Sequence, residues 1–581
     1  MDDRAILEAL DTSDGDFSGD EDEPEYLPPE VNEPSSSESE EEPSQPQVSH
    51  EEVTSRQFWL SKEMISRGPD ITEDVLLSQG SSKSNCLYSF FEYLDLEFWK
   101  LVADQTNLYS AQTRDLRSVC TNHVEMFQFT GIQILMGTLK YPQARLYWSR
   151  ELCVPLVKDT MTRDRFFELR NHLHFADNTA TRVDGDKLWK IRPMLSNILK
   201  KCHSLPRSMH MSIDEQMVPF SGRCDYRQYV PSKPNPLGLK NFVLATRDGL
   251  VLDFEIYVGS CTIPQVDMAV LGLGAGVVKL LCRTVDKNCV LYTDRFFTSL
   301  KLANYLNENK NNVYLTGTVM SNRFGDVSKK LKTDKLLKRG EFDEKVRNDE
   351  KVCVVKWKDT KAVTMLSTCS GSAPMATCKR WVKTAKRKID VPQPNVVKNY
   401  NTCMGGIDLC DRLIAYYRSA MRTKKWPVRA FSHFVDLSIV NCWIMYVRCC
   451  NQEGIEPKDK LGLLQYRLNV ATAMARFSGG RVDPDFTSRP SISREEVDQP
   501  TVSTERNEGE PKKKYRAVVP LPNPEVRLDG VGHLPRFMDD KFPSKCRHPQ
   551  CSSRCRTICT KCKIYLCVMK NNCFEMYHTY K

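Results

Sequence analysis

Three aspartates stand in settings that could bring their carboxylates together. Asp214 follows the short apolar run MHMSI, Asp294 ends NCVLYTD, and Asp408 opens GGIDLCD ahead of a long amphipathic stretch. Carboxylate oxygens are the ligands that Mg²⁺ prefers, and carboxylates from distant parts of a chain can hold two ions for phosphodiester chemistry. Asp411 lies close behind Asp408, so a helix would carry both on one face. Each aspartate alone also fits a turn or a helix cap, and Asp408 fits an N-cap.

The predicted elements make two of these aspartates neighbours. Alternating residues predict strands, and apolar spacing predicts helices, in this order: strands at 209–213, 241–246 and 250–258, a helix at 265–281, a strand at 288–293, a helix at 299–309 and a strand at 313–319. Asp248-Gly249 is a hairpin turn signal. This order is that of an RNase H-like fold, in which the first and fourth strands lie side by side and parallel. We therefore predict an α/β catalytic core whose first part is 206–320, with Asp214 and Asp294 at adjacent strand ends.

The rest of the chain divides by composition and period. Apolar residues at three and four spacing predict a helical domain in two parts, 58–205 and 417–479, on either side of the core. Lys-rich, hairpin-like sequence predicts a β-rich insertion at 321–395, after which the core resumes at 396–416. The remaining segments are predicted to be a disordered acidic tail at 1–57, a linker with a basic run at 480–540 and a Cys-rich module at 541–581.

The net charge of +9 is unevenly distributed. Residues 1–56 hold 19 acidic residues against two arginines, so this segment carries −17 and the remaining chain +26. A basic body favours a polyanionic partner, and nucleic acid is the obvious candidate.

Composition also indicates the cellular compartment in which the protein is expected. No apolar run reaches the roughly 18 residues that a membrane span needs, so we expect no membrane association. The acidic N-terminus differs from a secretory signal, and the 23 cysteines are better interpreted as reduced thiols or metal ligands than as disulfides. We therefore expect a cytosolic or nuclear protein. The run PKKKYR at 511–516 fits either a nuclear import signal or a solvated linker.

Two segments near the aspartates mix basic and aromatic residues. Such mixtures suit phosphate contact and base stacking, although ordinary surface loops have them too. The first segment lies between Asp214 and the hairpin, and the second follows Asp408. Together they supply the candidate DNA-binding residues Arg223, Arg227, Tyr229, Lys233, Lys240, Arg422, Lys424, Lys425 and Trp426.

The C-terminal segment has the composition of a zinc module. Cys559 and Cys562 form a Cys-x2-Cys knuckle, flanked on both sides by further candidate ligands: Cys546, Cys551, Cys567, Cys573 and His578. These residues can make two tetrahedral zinc sites in a cross-braced arrangement, and a module this small needs metal to fold. The eighth ligand is open between Cys555 and His548, unless one of the thiols is free.

Several stretches resemble the piggyBac family of DNA transposases. They occur in collinear order between about 101 and 451, and the longest are MTRDRFFELRNHLHFADN, SIDEQMVPFSGRCDYRQYVPSKP, YTDRFFTSLKLANYL and VVKNYNTCMGGIDLCDRLIAYY, with CFEMYH near the C-terminus. The resemblance implies an RNase H-like catalytic domain whose three aspartates, here Asp214, Asp294 and Asp408, bind two divalent metals, Mg²⁺ or Mn²⁺. Asp411 matches a fourth aspartate of the family.

The resemblance also implies an activity and its partners. Such enzymes cut double-stranded DNA at transposon terminal repeats through a hairpin intermediate and insert at TTAA targets, working as nuclear dimers. The flanking helices would dimerise and bind DNA, and the zinc module would bind transposon ends. Cys546-x4-Cys551 departs from the family's usual Cys-x2-Cys. The alternatives are a domesticated DNA-binding or chromatin-associated host protein without transposition, and a zinc-module interaction protein such as a ubiquitin ligase, which leaves the basic core unexplained.

Overall fold

The computed structural model describes residues 57–479 and 532–579, together with 522 and 527–528, apart from gaps at 72–85, 114–116, 182–184, 232, 286–287, 310–312, 383–385, 420–422, 539–542, 550 and 570–571. The predicted acidic tail and the basic run at 511–516 lie outside these residues. The chain forms two units, one ending at Arg489 and one beginning at Pro490, which are described separately.

The first unit opens with a short strand and continues as helices. Strand β1 is Trp59–Leu60, and it pairs antiparallel with a strand at 342–347, so the predicted helical pattern does not extend to residue 58. The helices that follow are α1 Cys86–Phe91, α2 Leu96–Thr113, α3 His123–Leu139, α4 Pro155–Thr160, α5 Arg163–His172 and α6 Arg192–Ser204. Asn122 and Thr162 cap α3 and α5 through their side chains, which accept from backbone N–H groups in the first turn.

A ten-stranded mixed sheet forms the centre of this unit. Six of its strands are β2 His210–Pro219, β3 Arg227–Tyr229, β4 Leu237–Thr246, β5 Val251–Ile256, β6 Cys289–Thr293 and β7 Val313–Thr318. Strand β4 pairs antiparallel with β2, β3 and β5, whereas β2, β6 and β7 run parallel. Helices α7 Gln265–Leu281 and α8 Leu300–Asn309 connect the parallel strands. The predicted order of strands and helices is confirmed, as is the parallel pairing of the first and fourth strands.

The predicted insertion is mostly an extension of the same sheet. After α9 Val327–Lys330 it contains β8 Phe342–Arg347, β9 Cys353–Lys358, β10 Ala362–Ser367, β11 Ala376–Val382 and β12 Arg387–Gln393. Strand β10 pairs antiparallel with β7, and β9 and β8 follow in turn. Strands β11 and β12 form a separate two-stranded hairpin. Residues 342–367 therefore widen the central sheet instead of standing apart from it.

Four later α-helices follow in the described part of this unit. They are α10 Asn395–Cys403, α11 Gly406–Tyr416, α12 Trp426–Gln452 and α13 Leu463–Ala475. Pro427 lies in the first turn of α12, where its missing N–H costs no hydrogen bond. Phe431 of α12 packs on Phe175, with ring centroids 4.9 Å apart, and Phe434 packs on Phe254 of β5 at 4.7 Å. Helix α12 thus joins the early helices to the sheet.

Two of the described helical stretches, 265–284 and 426–452, are long and apolar enough to cross a membrane by length and composition alone. The second is the core helix α12, and 78% of its apolar window is buried within the fold.

The C-terminal unit is small and built on short strands. It contains β13 Pro535–Phe537, β14 Ser544–Lys545, β15 Arg554–Cys555, β16 Thr557–Cys559 and α14 Cys573–Thr579. Strand β13 pairs with β16, and β14 pairs with β15. The ordered module therefore includes residues 532–538, which the sequence assigned to the linker.

Candidate functional site

Asp214 and Asp294 are brought together by the register of the parallel strands. The last paired residues of β2 and β6 are Ile213 and Thr293, so the two aspartates come next on adjacent chains. Neighbouring strands lie about 4.8 Å apart. Asp214 is not at a strand end as predicted, because β2 continues to Pro219 through its antiparallel pairing with β4. The two aspartates therefore lie where β6 ends and β2 continues without its parallel partner.

Helix α11 brings the other two aspartates to the same place. Gly405 is the N-cap of this helix, so Asp408 lies in the first turn and is not the cap. Gly406 packs directly against the end of β4, where a Cβ atom would lie 2.2 Å from the carbonyl oxygen of Thr246. This close approach requires glycine and sets the start of α11 against the strand that pairs with β2.

Three of the four carboxylates have one oxygen held by a hydrogen bond. Asp214 Oδ1 accepts from the backbone N–H of Glu215 at 2.8 Å, and Asp294 Oδ1 accepts from that of Phe296 at 2.8 Å. Asp411 Oδ1 accepts from the side-chain amide of Gln216 at 2.6 Å. A hydrogen bond from the backbone of Phe297 also helps to hold the Asp294 carboxylate.

Burial and neighbouring negative charges raise the pKa values of the clustered aspartates. Burial raises the pKa of Asp214 to about 7, and the negative charges of Asp294 and Asp408 add to the rise. Burial likewise raises the pKa of Asp294, and that of Asp411 to about 6. Lys233 opposes the rise in all three, so its ammonium group faces the cluster. The four aspartates therefore form one electrostatic site.

The candidate DNA-binding residues divide into two groups by position. Arg223, Tyr229, Lys424 and Lys425 are exposed, and Tyr229 keeps 66% of its surface in solvent. Arg227 is exposed too, but its guanidinium donates to the carbonyls of Ser221 and Gly222 and so braces its own loop. Arg422 lies outside the described residues.

The remaining candidates are held inside the fold. Lys240 pairs with Glu215 at 2.7 Å and is 13% exposed, which leaves little of it for a phosphate. Lys233 donates to the carbonyl of Glu215 at 2.9 Å, beside the carboxylates. Trp426 packs edge-on against Tyr226 at a centroid distance of 5.4 Å, so the two basic segments adjoin.

Two groups of four potential zinc ligands occur in the described part of the C-terminal unit. The first group is Cys546, Cys551, Cys567 and Cys573, and the second is His533, Cys559, Cys562 and His578. In each group the ligand atoms lie within 4.8 Å of one another. The two sets interleave along the chain, as a cross-braced arrangement requires.

The eighth member of the two groups is His533, and neither Cys555 nor His548 belongs to either group. Because Pro535 of β13 pairs with Cys559 of β16, His533 is placed beside the Cys-x2-Cys knuckle. The Cys555 thiol instead faces the carbonyl of Thr557 at 3.8 Å. The two candidates taken from the sequence are therefore corrected.

Distances in both groups fit a tetrahedral zinc ion. With Zn–S near 2.3 Å and Zn–N near 2.05 Å, tetrahedral geometry requires about 3.8 Å between two sulfurs and about 3.6 Å between sulfur and nitrogen. Cys551 Sγ and Cys567 Sγ are 3.8 Å apart, and His533 Nδ1 lies 3.4 Å from Cys562 Sγ. His578 Nδ1 is 2.7 Å from the Phe574 carbonyl, which orients Nε2 toward the group.

Comparison with known proteins identifies the family. The model of the family described as "Transposase IS4" matches residues 84–443. The human "PiggyBac transposable element-derived protein 3" is 28% identical over 497 residues, which cover 84% of this chain and 75% of that protein. The human "PiggyBac transposable element-derived protein 2" is 30% identical over 405 residues, covering 68% of this chain and 66% of that protein. This chain belongs to the piggyBac transposase family.

The fold of this chain is similar to that of a solved piggyBac structure. The cryo-EM structure of a piggyBac transposase synaptic complex with hairpin DNA matches with a TM-score of 0.58 and 22% identity, covering 71% of this chain and 83% of that one. The family match contains all four aspartates of the cluster, Asp214, Asp294, Asp408 and Asp411, and ends before the Cys-rich unit. The carboxylate cluster therefore lies in the part of the chain that defines membership.

The donor set of this piggyBac-family site suits divalent cations. The raised pKa values of Asp214 and Asp411 show that the folded chain bears an electrostatic cost when these carboxylates are charged. A divalent cation would remove that cost and bond to their second oxygens. Hard oxygen ligands of this kind favour Mg²⁺ or Mn²⁺.

Three residues around the cluster were not identified from the sequence. Gln216 holds Asp411, and His433 of α12 donates from Nε2 to Gln216 Oε1 at 2.9 Å. Burial raises the pKa of Tyr400 to about 12, and the charges of the aspartates add to the rise, which places this phenol at the edge of the site. Tyr400 and Gln216 lie inside family-like motifs, but their types alone carried no signal for a metal site.

Proposed function

We propose that this chain is a cut-and-paste DNA transposase with an RNase H-like catalytic domain. Asp214, Asp294 and Asp408 would hold two Mg²⁺ or Mn²⁺ ions, with Asp411 as a fourth carboxylate. The observation that carries the proposal is the convergence of carboxylates from β2, from the residue after β6 and from α11 at the point where the parallel pairing of β2 and β6 ends, in a piggyBac-family fold. The substrates are double-stranded transposon ends, with insertion at TTAA.

The residues have separate roles in this proposal. Bound divalent cations would activate a water or a 3′-hydroxyl and stabilise the leaving oxygen of a phosphodiester. The backbone N–H groups of Glu215 and Phe296 hold Asp214 and Asp294 in place, and Lys233 brings a positive charge to where a scissile phosphate would lie. Exposed Arg223, Tyr229, Lys424 and Lys425 would contact the DNA backbone and bases.

The proposal includes partners and compartment. A solved piggyBac structure with a similar fold is a synaptic complex with hairpin DNA, which supports DNA binding by this chain, and we propose that the chain acts as a dimer. Zinc in both Cys/His groups would fold the C-terminal unit, which we assign to recognition of transposon ends. A DNA substrate and the basic run at 511–516 support a nuclear location.

A second candidate is a domesticated DNA-binding host protein. It is favoured by the names of the human relatives, both of which are called transposable element-derived proteins. Such a protein would keep the fold and the DNA surface without excising DNA.

Excision of a reporter flanked by the cognate terminal repeats tests the two candidates. We expect excision by the wild type, none by Asp294→Ala, and normal excision by Asp225→Ala, a matched change at an exposed aspartate in the basic loop. Equal excision by wild type and Asp294→Ala would contradict the catalytic assignment. DNA binding without excision by the wild type would support the domesticated protein.

A further inference from the structure

Gln216 stands at the centre of a buried polar network beside the carboxylates. It lies two residues after Asp214 on β2, so both side chains are on the same face of the sheet. Gln216 and Asn241 are fully buried, and His433 is 3% exposed. A buried polar network of this kind is costly unless its members are satisfied, so its geometry is informative.

The network fixes which way the Gln216 amide points. Its Oε1 is within reach of two donors, Nε2 of His433 at 2.9 Å and Nδ2 of Asn241 at 3.3 Å. Its Nε2 donates to Asp411 Oδ1 at 2.6 Å. A flipped amide would set its NH₂ group against two donors and its oxygen against a carboxylate. The neighbours therefore allow one orientation.

His433 supplies a donor because it is neutral with the proton on Nε2. Burial lowers the pKa of His433 well below its usual value, and the nearby Arg418 and Arg429 lower it further. Its Nδ1, the acceptor nitrogen of this tautomer, has no hydrogen-bond partner within the described part of the chain. His433 belongs to α12, whose first residue is Trp426, so the network also ties the metal site to the helix behind Lys424 and Lys425.

We propose that Gln216 is a positioning residue for the metal site, which holds Oδ1 of Asp411 and presents Oδ2 as its single metal-binding oxygen. His433 and Asn241 keep the amide in this orientation. The inference rests on the proposed function, since it takes Asp411 as a metal ligand. Outer partners of metal ligands act in this way because they restrict the ligand to the conformation it needs in the complex.

Mn²⁺ binding tests the role directly and needs no DNA. The full chain is first saturated with zinc, and free Mn²⁺ is then titrated by electron paramagnetic resonance at pH 8. We expect Gln216→Met, which keeps the side-chain volume, to weaken Mn²⁺ binding about 10- to 100-fold. The matched control is Gln133→Leu, at a buried glutamine of α3 that is 6% exposed, and its affinity should equal that of the wild type.

A double substitution separates positioning from general damage. If Gln216 acts through Asp411, Gln216→Met should weaken binding no further in an Asp411→Asn background. A purely structural defect would lower the affinity in both backgrounds and would overturn the proposal. Should Gln216→Met fail to fold by circular dichroism, His433→Phe carries the same test from the other end of the network, with weaker binding expected in the wild-type background alone.

The outcomes distinguish this inference from the proposed function. Equal Mn²⁺ binding by the wild type and Asp294→Ala would refute the proposed metal site itself. Loss of binding in Asp294→Ala with unchanged affinity in both Gln216→Met and His433→Phe would leave the metal site intact and refute the positioning role.

Discussion

Replacing His533 by alanine should remove one of two zinc ions from the chain. Each group holds four potential ligands, and His533 is the member of the second group contributed from outside the Cys-rich segment. The substitution removes one nitrogen ligand and leaves Cys559, Cys562 and His578. The first group shares no ligand with the second, so its zinc should stay bound.

The size of the effect follows from the ligand count. Structural zinc contributes about 10–16 kcal/mol of binding free energy, so one ligand of four accounts for roughly 2.5–4 kcal/mol if the ligands contribute equally. That loss corresponds to about 10²- to 10³-fold weaker binding at the second group. The distances of 3.4 Å from His533 Nδ1 to the sulfurs of Cys559 and Cys562 support counting it as a full ligand.

Zinc content measured by mass spectrometry of the purified full chain, after dialysis against a weak chelator, should fall from two ions to one. His548→Ala and Cys555→Ser are the matched controls, because both residues lie in the same unit outside the two groups, and each should retain two ions. Two retained ions in His533→Ala, with loss in either control, would show that the ligand set derived from the structure is incorrect.

Two further predictions concern charge. Asp214→Asn should raise the free energy of unfolding of the metal-free chain at pH 8, by on the order of a few kcal/mol, because the carboxyl pKa is raised to about 7 in the folded state. In the wild type, the stability from this protonated carboxyl group is fully present below about pH 4 and is lost as the pH rises through about 7. The difference in free energy of unfolding between Asp214→Asn and the wild type, measured by chemical denaturation, should therefore be smaller at pH 5 than at pH 8. Excess Mn²⁺ at pH 8 should stabilise the wild type more than the variant. For DNA, Lys424→Ala and Lys425→Ala should each weaken binding to arbitrary duplexes and lower the slope of log affinity against log salt by about 0.9 per lost phosphate contact. Lys240→Ala should leave that slope unchanged because Lys240 is paired with Glu215, and an equal drop would contradict this placement.

The order of strands and helices could be predicted because each element between 209 and 319 has a clear local period. The strand bounds of β6 and β7 and the helix bounds of α7 and α8 lie within a residue or so of the predicted ones. Strand partners could not all be predicted in this way, because pairing depends on contacts between residues that are distant in the sequence. That is why β2 continues past Asp214, and why β10 joins β7 instead of forming a separate insertion.

The sequence singled out the four aspartates that the fold brings together, and it gave no signal for the neutral residues around them. Asp214 and Asp294 follow predicted strands, and Asp408 and Asp411 share a predicted helix, so their order along the chain pointed to one site. His533 lies in a stretch with the composition of a linker, and only the pairing of β13 with β16 brings it to the knuckle. Gln216 is an ordinary strand residue until the fold places His433 and Asn241 on one side of it and Asp411 on the other.

The position of the cluster follows from how parallel strands end. Where β6 stops, the β2 edge that β6 had covered is free of its parallel partner, and Asp214 is the first residue beyond that point. Antiparallel β4 still holds β2 on its other edge, so the carboxylate is open on one side and rigid on the other. Rigidity matters because metal ligands must be held close to their final geometry. Burial raises the pKa of both Asp214 and Asp411, and the charge of Asp408 adds to the rise in each, so a divalent cation bound at the proposed site would offset the cost of charging them.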